Sequence, residues 1–148
     1  MNREFLNVIL ADDDEAGQIL LKSIFKELKI EIMVQCFQSE IQVMDYLNST
    51  EGRIPEILLI HNTLSGGISK ESIQEIRSEV RFSNMIIAVY GENLPESEIE
   101  DFFVAGAHVF IRKPNTYADL KKIVSDVVAV IWQYQTSGLN KDNFILKI

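Results

Sequence analysis

Hydrophobic positions along the chain change period again and again, and each change marks an element. Residues 5–11 form a β-rich apolar run that stops at Asp12-Asp13-Asp14-Glu15. From Ala16 the spacing becomes helical, with Ile19, Leu20, Ile24, Phe25 and Leu28 on one side and Lys22, Lys26 and Lys29 among the polar positions. Acidic residues near its start and lysines near its end suit the helix dipole. Residues 31–37 alternate, with Ile32, Val34 and Cys36 on one face, which predicts a second strand. Ser39 followed by Gln42 is a capping-box pattern, and the helix it opens runs to about Asn48 with Ile41, Met44, Tyr46 and Leu47 as its apolar side.

The next run, Ile57-Leu58-Leu59-Ile60, is too short for a stable helix and reads as a strand buried on both faces. It ends abruptly at His61 and Asn62, followed by a loop whose paired Gly66 and Gly67 allow positive φ. A helix over residues 70–80 rests on Ile73, Ile76 and Val80. Residues 85–89 form another continuous apolar strand, closed by Tyr90-Gly91. Pro95 sits early in a helix that packs Ile99, Phe102, Phe103 and Ala105 and ends at Gly106. Residues 109–111 make a short fifth strand leading to Arg112-Lys113-Pro114, and Thr116 with Asp119 opens a long helix reaching about Gln135.

This βαβαβαβαβα alternation with short connections predicts an α/β domain with a parallel sheet covered by helices on both sides. Ligands and reacting groups collect at the carboxyl ends of such strands. Those ends carry Asp12 and Asp13, His61, Tyr90 and Lys113. The last helix has an apolar stripe, from Leu120 through Ile131 and Trp132, wider than one sheet face needs, so part of it is available to a partner. The tail Asn143-Phe144-Ile145-Leu146-Lys147-Ile148 is too apolar for a free terminus and is expected to fold back or to join another subunit.

Composition narrows the function classes. With 148 residues the chain is expected to form one domain, with no room for a separate output domain. A formal charge of −8 argues against a nucleic-acid partner, because phosphate backbones are held by clustered Lys and Arg. No stretch approaches the roughly 20 apolar residues of a membrane span, and the amino terminus does not resemble a signal peptide. The single cysteine, Cys36, cannot form an internal disulfide and is expected to act as a small buried hydrophobe. These features indicate a soluble, reducing compartment, the cytoplasm.

Four segments carry a family resemblance: ILADDDEAG at 9–17, PEILLIHNTLSGG at 55–67, MIIAVYGE at 85–92 and AGAHVFIRKP at 105–114. With them the chain resembles the receiver domain of two-component response regulators over residues 4–135, leaving 136–148 as a tail. The resemblance implies a flavodoxin-like, doubly wound sheet of five strands in the order 2-1-3-4-5. It also implies phosphorelay signalling, in which a histidine kinase phosphorylates an aspartate after strand three. By position that aspartate is replaced here by His61. The family's Mg²⁺-holding acidic pair is matched by Asp12 and Asp13, its lysine by Lys113, and its aromatic switch by Phe110. Its small hydroxyl residue after strand four is replaced by Tyr90, and the peptide before Pro114 is expected to be cis.

Two of these departures bear on mechanism. A carboxylate supplies an oxygen nucleophile and a hard ligand for Mg²⁺, and an imidazole supplies neither. His61 therefore removes the acceptor and weakens the Mg²⁺ site, so no cofactor is expected, while the Tyr90 ring fills space a phosphoryl group would need. The expected protein is a non-enzymatic pseudo-receiver that binds a histidine kinase, an output protein or a second copy of itself, with the last helix or tail as a dimer surface. Asp13 or Asp14 as a substitute acceptor is an alternative, and a metal-dependent hydrolase built on the acidic cluster and His61 is another. The second lacks a nucleophile motif and a phosphate-cradling glycine loop after strand one. His61 itself reads as a structural residue bonded to Asp12, Asp13 or backbone, as a pH-responsive group, as a Zn²⁺ or Mn²⁺ ligand with the two aspartates, or as a phosphorylation site. Lys113 facing the two carboxylates would keep an ion-pair network without metal.

Overall fold

The computed structural model describes residues 5–49, 53–62, 70–137 and 146–147. Strands β1 (Phe5–Ala11), β2 (Glu31–Phe37), β3 (Ile57–His61), β4 (Ile86–Gly91), β5 (Val109–Arg112) and β6 (Leu146–Lys147) form one sheet in the order β2-β1-β3-β4-β5-β6. Every pairing is parallel. The first five strands take the expected 2-1-3-4-5 order, so the fold is flavodoxin-like. The sixth strand is an addition to the expected five: of the two outcomes open to the tail, Leu146 and Lys147 fold back, beside Val109 and Phe110. The paired glycines Gly66 and Gly67 lie outside the described residues.

Period-two alternation divides each central strand between two cores. One face carries Ile9, Leu58, Ile60, Val89 and Phe110 against helices α2 (Glu40–Asn48), α3 (Lys70–Arg77) and α4 (Glu96–Ala105). The other carries Val8, Leu10, Leu59, Ala88 and Tyr90 against α1 (Glu15–Lys26) and α5 (Tyr117–Ser137). Burial on both faces is why β3 and β4 read as unbroken apolar runs rather than alternating ones.

Caps and turns place the helices. Asp14 accepts from the Ala16 N–H at 3.2 Å to open α1, and Thr116 accepts from the Asp119 N–H at 3.1 Å to open α5. Ser39 accepts from the Gln42 N–H at 3.2 Å, but Gln42 returns the bond one residue earlier than a standard capping box, to the Gln38 N–H at 2.8 Å.

Several inward faces differ from the helical-wheel expectation. The third helix stops at Arg77 and the chain tightens into a 3₁₀ turn at Val80–Phe82, which turns Val80 outward, 87% exposed, and buries Phe82 instead. On α2 it is Val43 and Leu47 that are buried, while Ile41 faces solvent. On α4, Phe102 is buried and its neighbour Phe103 lies outside, edge-on to His108 with ring centroids 6.2 Å apart. The wide stripe of α5 is largely core, since Ile123 and Trp132 at its margins also pack against the sheet-side cluster. Cys36 is half-buried at the edge of that cluster, where burial pushes its thiol up and the adjacent Lys22 opposes the shift.

Candidate functional site

The parallel register brings the strand ends together. Ala11 lies beside Ile60 and His61 beside Tyr90, so one step past β1 the chain places Asp12 next to His61. Gly91 and Arg112 are paired on the far side, which sets Lys113 at the same end of the sheet.

Asp12 is the fixed point of this cluster. Its side chain is 1% exposed, yet both carboxylate oxygens have donors: Oδ1 accepts from the Asp14 N–H at 2.9 Å, and Oδ2 accepts from the Tyr90 hydroxyl at 2.5 Å. Its backbone carbonyl accepts from Gln18 Nε2 at 2.6 Å, and its N–H donates to the Phe37 carbonyl at 3.0 Å. A buried carboxylate is tolerated only with such partners, and each charge-assisted bond is worth about 1.5–3 kcal/mol. Gly17, on the first turns of α1, leaves the room: a Cβ there would stand 2.7 Å from Asp12 Oδ2.

Tyr90 connects the cluster to His61. Its ring meets the His61 imidazole nearly edge to face, with centroids 4.9 Å apart and planes at 79°. Burial, and then the hydrogen bond to Asp12, push the Tyr90 phenol well above its ordinary value, so the group remains a neutral donor. Ring and hydroxyl together occupy the space between β1, β3 and β4. His61 is half-buried and Asp13 is exposed, and one ligand atom from each of Asp12, Asp13 and His61 lies within 4.8 Å of the others.

Asn62 ties the end of β3 to β4 and to the residues that follow it. Its N–H donates to the Tyr90 carbonyl at 2.9 Å, and Nδ2 donates to the Asn93 carbonyl at 2.7 Å and, more weakly, to Glu98 Oε1 at 3.4 Å. Gly91 is required beside it, because a Cβ at that position would collide with Asn62 Oδ1.

Lys113 departs from expectation in two respects. Among the described residues no ion pair joins it to Asp12 or Asp13. Tyr90 has taken the inner place beside Asp12, and Lys113 instead lines a depression of about 280 Å³ with Glu92, Thr116, Tyr117 and Leu120. Its N–H donates to the Gly91 carbonyl at 2.8 Å. The peptide before Pro114 is trans, not cis, since no cis peptide occurs among the described residues; trans is the intrinsic preference of such bonds by about 0.5–1 kcal/mol. Phe110 is 1% exposed on the opposite face of the sheet, packed in the cluster that includes Val89 and Phe102, away from the acidic residues.

Thus the structure brings Asp12, Asp13, His61 and Tyr90 into one cluster and keeps Lys113 and Phe110 apart from it. Gln18 and Gly17 belong to the cluster and were not legible as site residues. Their only sequence signal is their place six and five residues after Asp12 in the first turns of a helix.

No protein-family model matches the sequence, and no curated protein is significantly similar to it. Solved structures do match. The fold is that of a response-regulator receiver. The phosphorylated cyanobacterial phytochrome response regulator RcpA superposes with a TM-score of 0.76 at 17% identity, covering 92% of this chain and 97% of its own. The Mn²⁺-bound form of the response regulator Rcp1 gives 0.73 at 16% identity, covering 84% and 92%. The receiver domain of a sensor histidine kinase from Pseudomonas aeruginosa, with a magnesium ion in its active-site cleft, gives 0.64 at 18% identity, covering 84% and 98%. Among the described residues no helix is long and apolar enough to cross a membrane.

Proposed function

We propose that this chain is a receiver of the two-component type that acts as a protein-binding module in the cytoplasm and does not carry a phosphoryl group on an aspartate. One observation carries the reading: the end of β3 presents the His61 imidazole, and Tyr90 closes over the neighbouring carboxylate by its 2.5 Å bond to Asp12. Phosphoryl transfer to a receiver needs an oxygen nucleophile with a hard cation beside it to neutralise the transferring oxygens. His61 offers no oxygen, and the Tyr90 ring stands where the phosphoryl oxygens would have to enter. What the fold retains is a surface at that end of the sheet, suited to recognition by a histidine kinase, an output protein or a second copy.

The test is incubation with acetyl phosphate and Mg²⁺ followed by intact mass measurement. No adduct of phosphate mass is expected for the wild type. A base-labile adduct would overturn the reading. The substitute-acceptor alternative is tested in the same way with Asp13→Asn and Asp14→Asn, both exposed carboxylates, either of which would abolish an adduct formed at that residue. Restoring both missing parts, in His61→Asp with Tyr90→Thr, is expected to create an acceptor, whereas His61→Asp alone is not.

A further inference from the structure

The magnesium site that the receiver fold implies does not fit this chain. Mg²⁺ demands near-octahedral oxygen donors, and the third donor here is an imidazole nitrogen. We infer that Asp12, Asp13 and His61 form instead a site for a divalent transition ion of the zinc class, one that discriminates against magnesium. The inference concerns the same end of the sheet as the signalling reading and rests on it only in taking that end as the working one.

Four features support it. The first is donor chemistry: one imidazole with two carboxylates is a mixed nitrogen and oxygen set, which borderline ions such as Zn²⁺ and Co²⁺ accept and hard Mg²⁺ does not prefer. The second is convergence. One ligand atom from each residue lies within 4.8 Å of the others before any ion draws them in. Around a tetrahedral ion with bonds of about 2.0–2.2 Å, neighbouring donors stand roughly 3.4 Å apart, so binding requires the ligand side chains to draw in further.

The third is support behind the ligands. The Asp14 N–H and the Tyr90 hydroxyl each hold one oxygen of Asp12, and a carboxylate oxygen that accepts one hydrogen bond keeps a second lone pair for a metal. Tyr90 also braces the His61 ring from its edge. Outer partners of this kind orient ligands in metal sites and raise their affinity. The fourth is charge: a chain of formal charge −8 attracts cations, and Asp13 presents its carboxylate at the surface beside the buried Asp12. Three protein donors would leave a coordination position for water or for a group from a partner protein.

The experiment uses the full chain carrying Cys36→Ser, so that the thiol cannot bind metal, after treatment with a chelator. Titration calorimetry with Zn²⁺ and with Mg²⁺, and visible absorption on adding Co²⁺, should show one equivalent of Zn²⁺ bound at least about tenfold more tightly than Mg²⁺, with d–d bands from ordered Co²⁺. Asp13→Asn, a change at an exposed position that leaves the fold intact, and His61→Ala should each lose that binding. Tyr90→Phe should weaken it by about 10–100-fold, as expected of a partner behind a ligand. His61→Asp, which replaces the nitrogen donor by a hard oxygen, should narrow the gap between the two metals. Equal affinity for Zn²⁺ and Mg²⁺, or Zn²⁺ binding that survives both Asp13→Asn and His61→Ala, would overturn the inference. These readouts are independent of phosphate uptake, so either reading can fail without the other.

Discussion

The Tyr90 hydroxyl donates to Oδ2 of Asp12 at 2.5 Å, joining the end of β4 to the residue that follows β1. The bond couples three things: the burial of a carboxylate, the position of the His61 ring and the filling of the space between three strand ends.

Removing this donor leaves a buried carboxylate oxygen without its partner. Tyr90→Phe is therefore expected to destabilise the fold by about 1–3 kcal/mol in urea unfolding of the metal-free protein. The pH dependence has a definite sign. The folded phenol titrates above the unfolded value of about 10, so its contribution is complete below pH 10 and declines as pH rises beyond it. Wild-type stability should fall on that alkaline limb more steeply than that of Tyr90→Phe. Parallel alkaline limbs in the two proteins would show that the bond does not form.

Space beside Asp12 is as important as its partners. Gly17→Ala places a methyl 2.7 Å from Oδ2 and must displace the carboxylate. A helix-interior Gly→Ala change ordinarily stabilises by up to about 1 kcal/mol; here a loss of thermal stability is expected. A gain would mean that Asp12 is not held as described. Gly91→Ala meets Asn62 in the same way, and its cost should be partly relieved in the double variant with Asn62→Ala, a coupling that a double-mutant cycle measures directly.

Across the surface between α1 and α5, Glu27 accepts from the Tyr117 hydroxyl at 2.8 Å and pairs with Lys121 at 3.2 Å. The Tyr117 bond, and then Lys121, hold the Glu27 carboxyl below its usual range. A depressed carboxyl adds stability above its unfolded value and loses it as pH falls through the folded one. An NMR titration should find the Glu27 midpoint below that of an ordinary glutamate, and Tyr117→Phe should raise it. An unchanged midpoint in the variant would assign the shift elsewhere.

Arg77 ties the end of α3 to two neighbouring turns, donating from Nε to the Gly106 carbonyl at 2.7 Å and from Nη1 to the Phe82 carbonyl at 3.2 Å. Burial pulls its guanidinium below the usual arginine value, but the fork still donates to both carbonyls. Arg77→Met keeps the aliphatic stem and loses both donors, for an expected cost of about 1–3 kcal/mol. Arg77→Lys should not restore it, because an ammonium cannot reproduce the planar fork. Full recovery in Arg77→Lys would count against that geometry.

Much of the architecture is local and therefore legible in the chain. Period-two and period-3.6 runs, together with the capping patterns at Ser39 and Thr116, determine five strands, five helices and the parallel sheet that follows from their alternation. The abrupt end of the apolar run at His61 likewise places an imidazole at the carboxyl end of the central strand.

What the chain could not decide depends on register and on how far a side chain reaches. Val80 and Phe82 exchange roles because a helix gives way to a 3₁₀ turn, which alters direction without altering hydrophobicity. Lys113 stands at the expected position, yet among the described residues no ion pair joins it to the carboxylates, and the donor beside Asp12 is instead Tyr90, in register with His61. The bond from Tyr90 to Asp12 spans 78 residues. No local pattern encodes such a distance. It exists only once parallel pairing has stacked the ends of β1, β3 and β4 side by side.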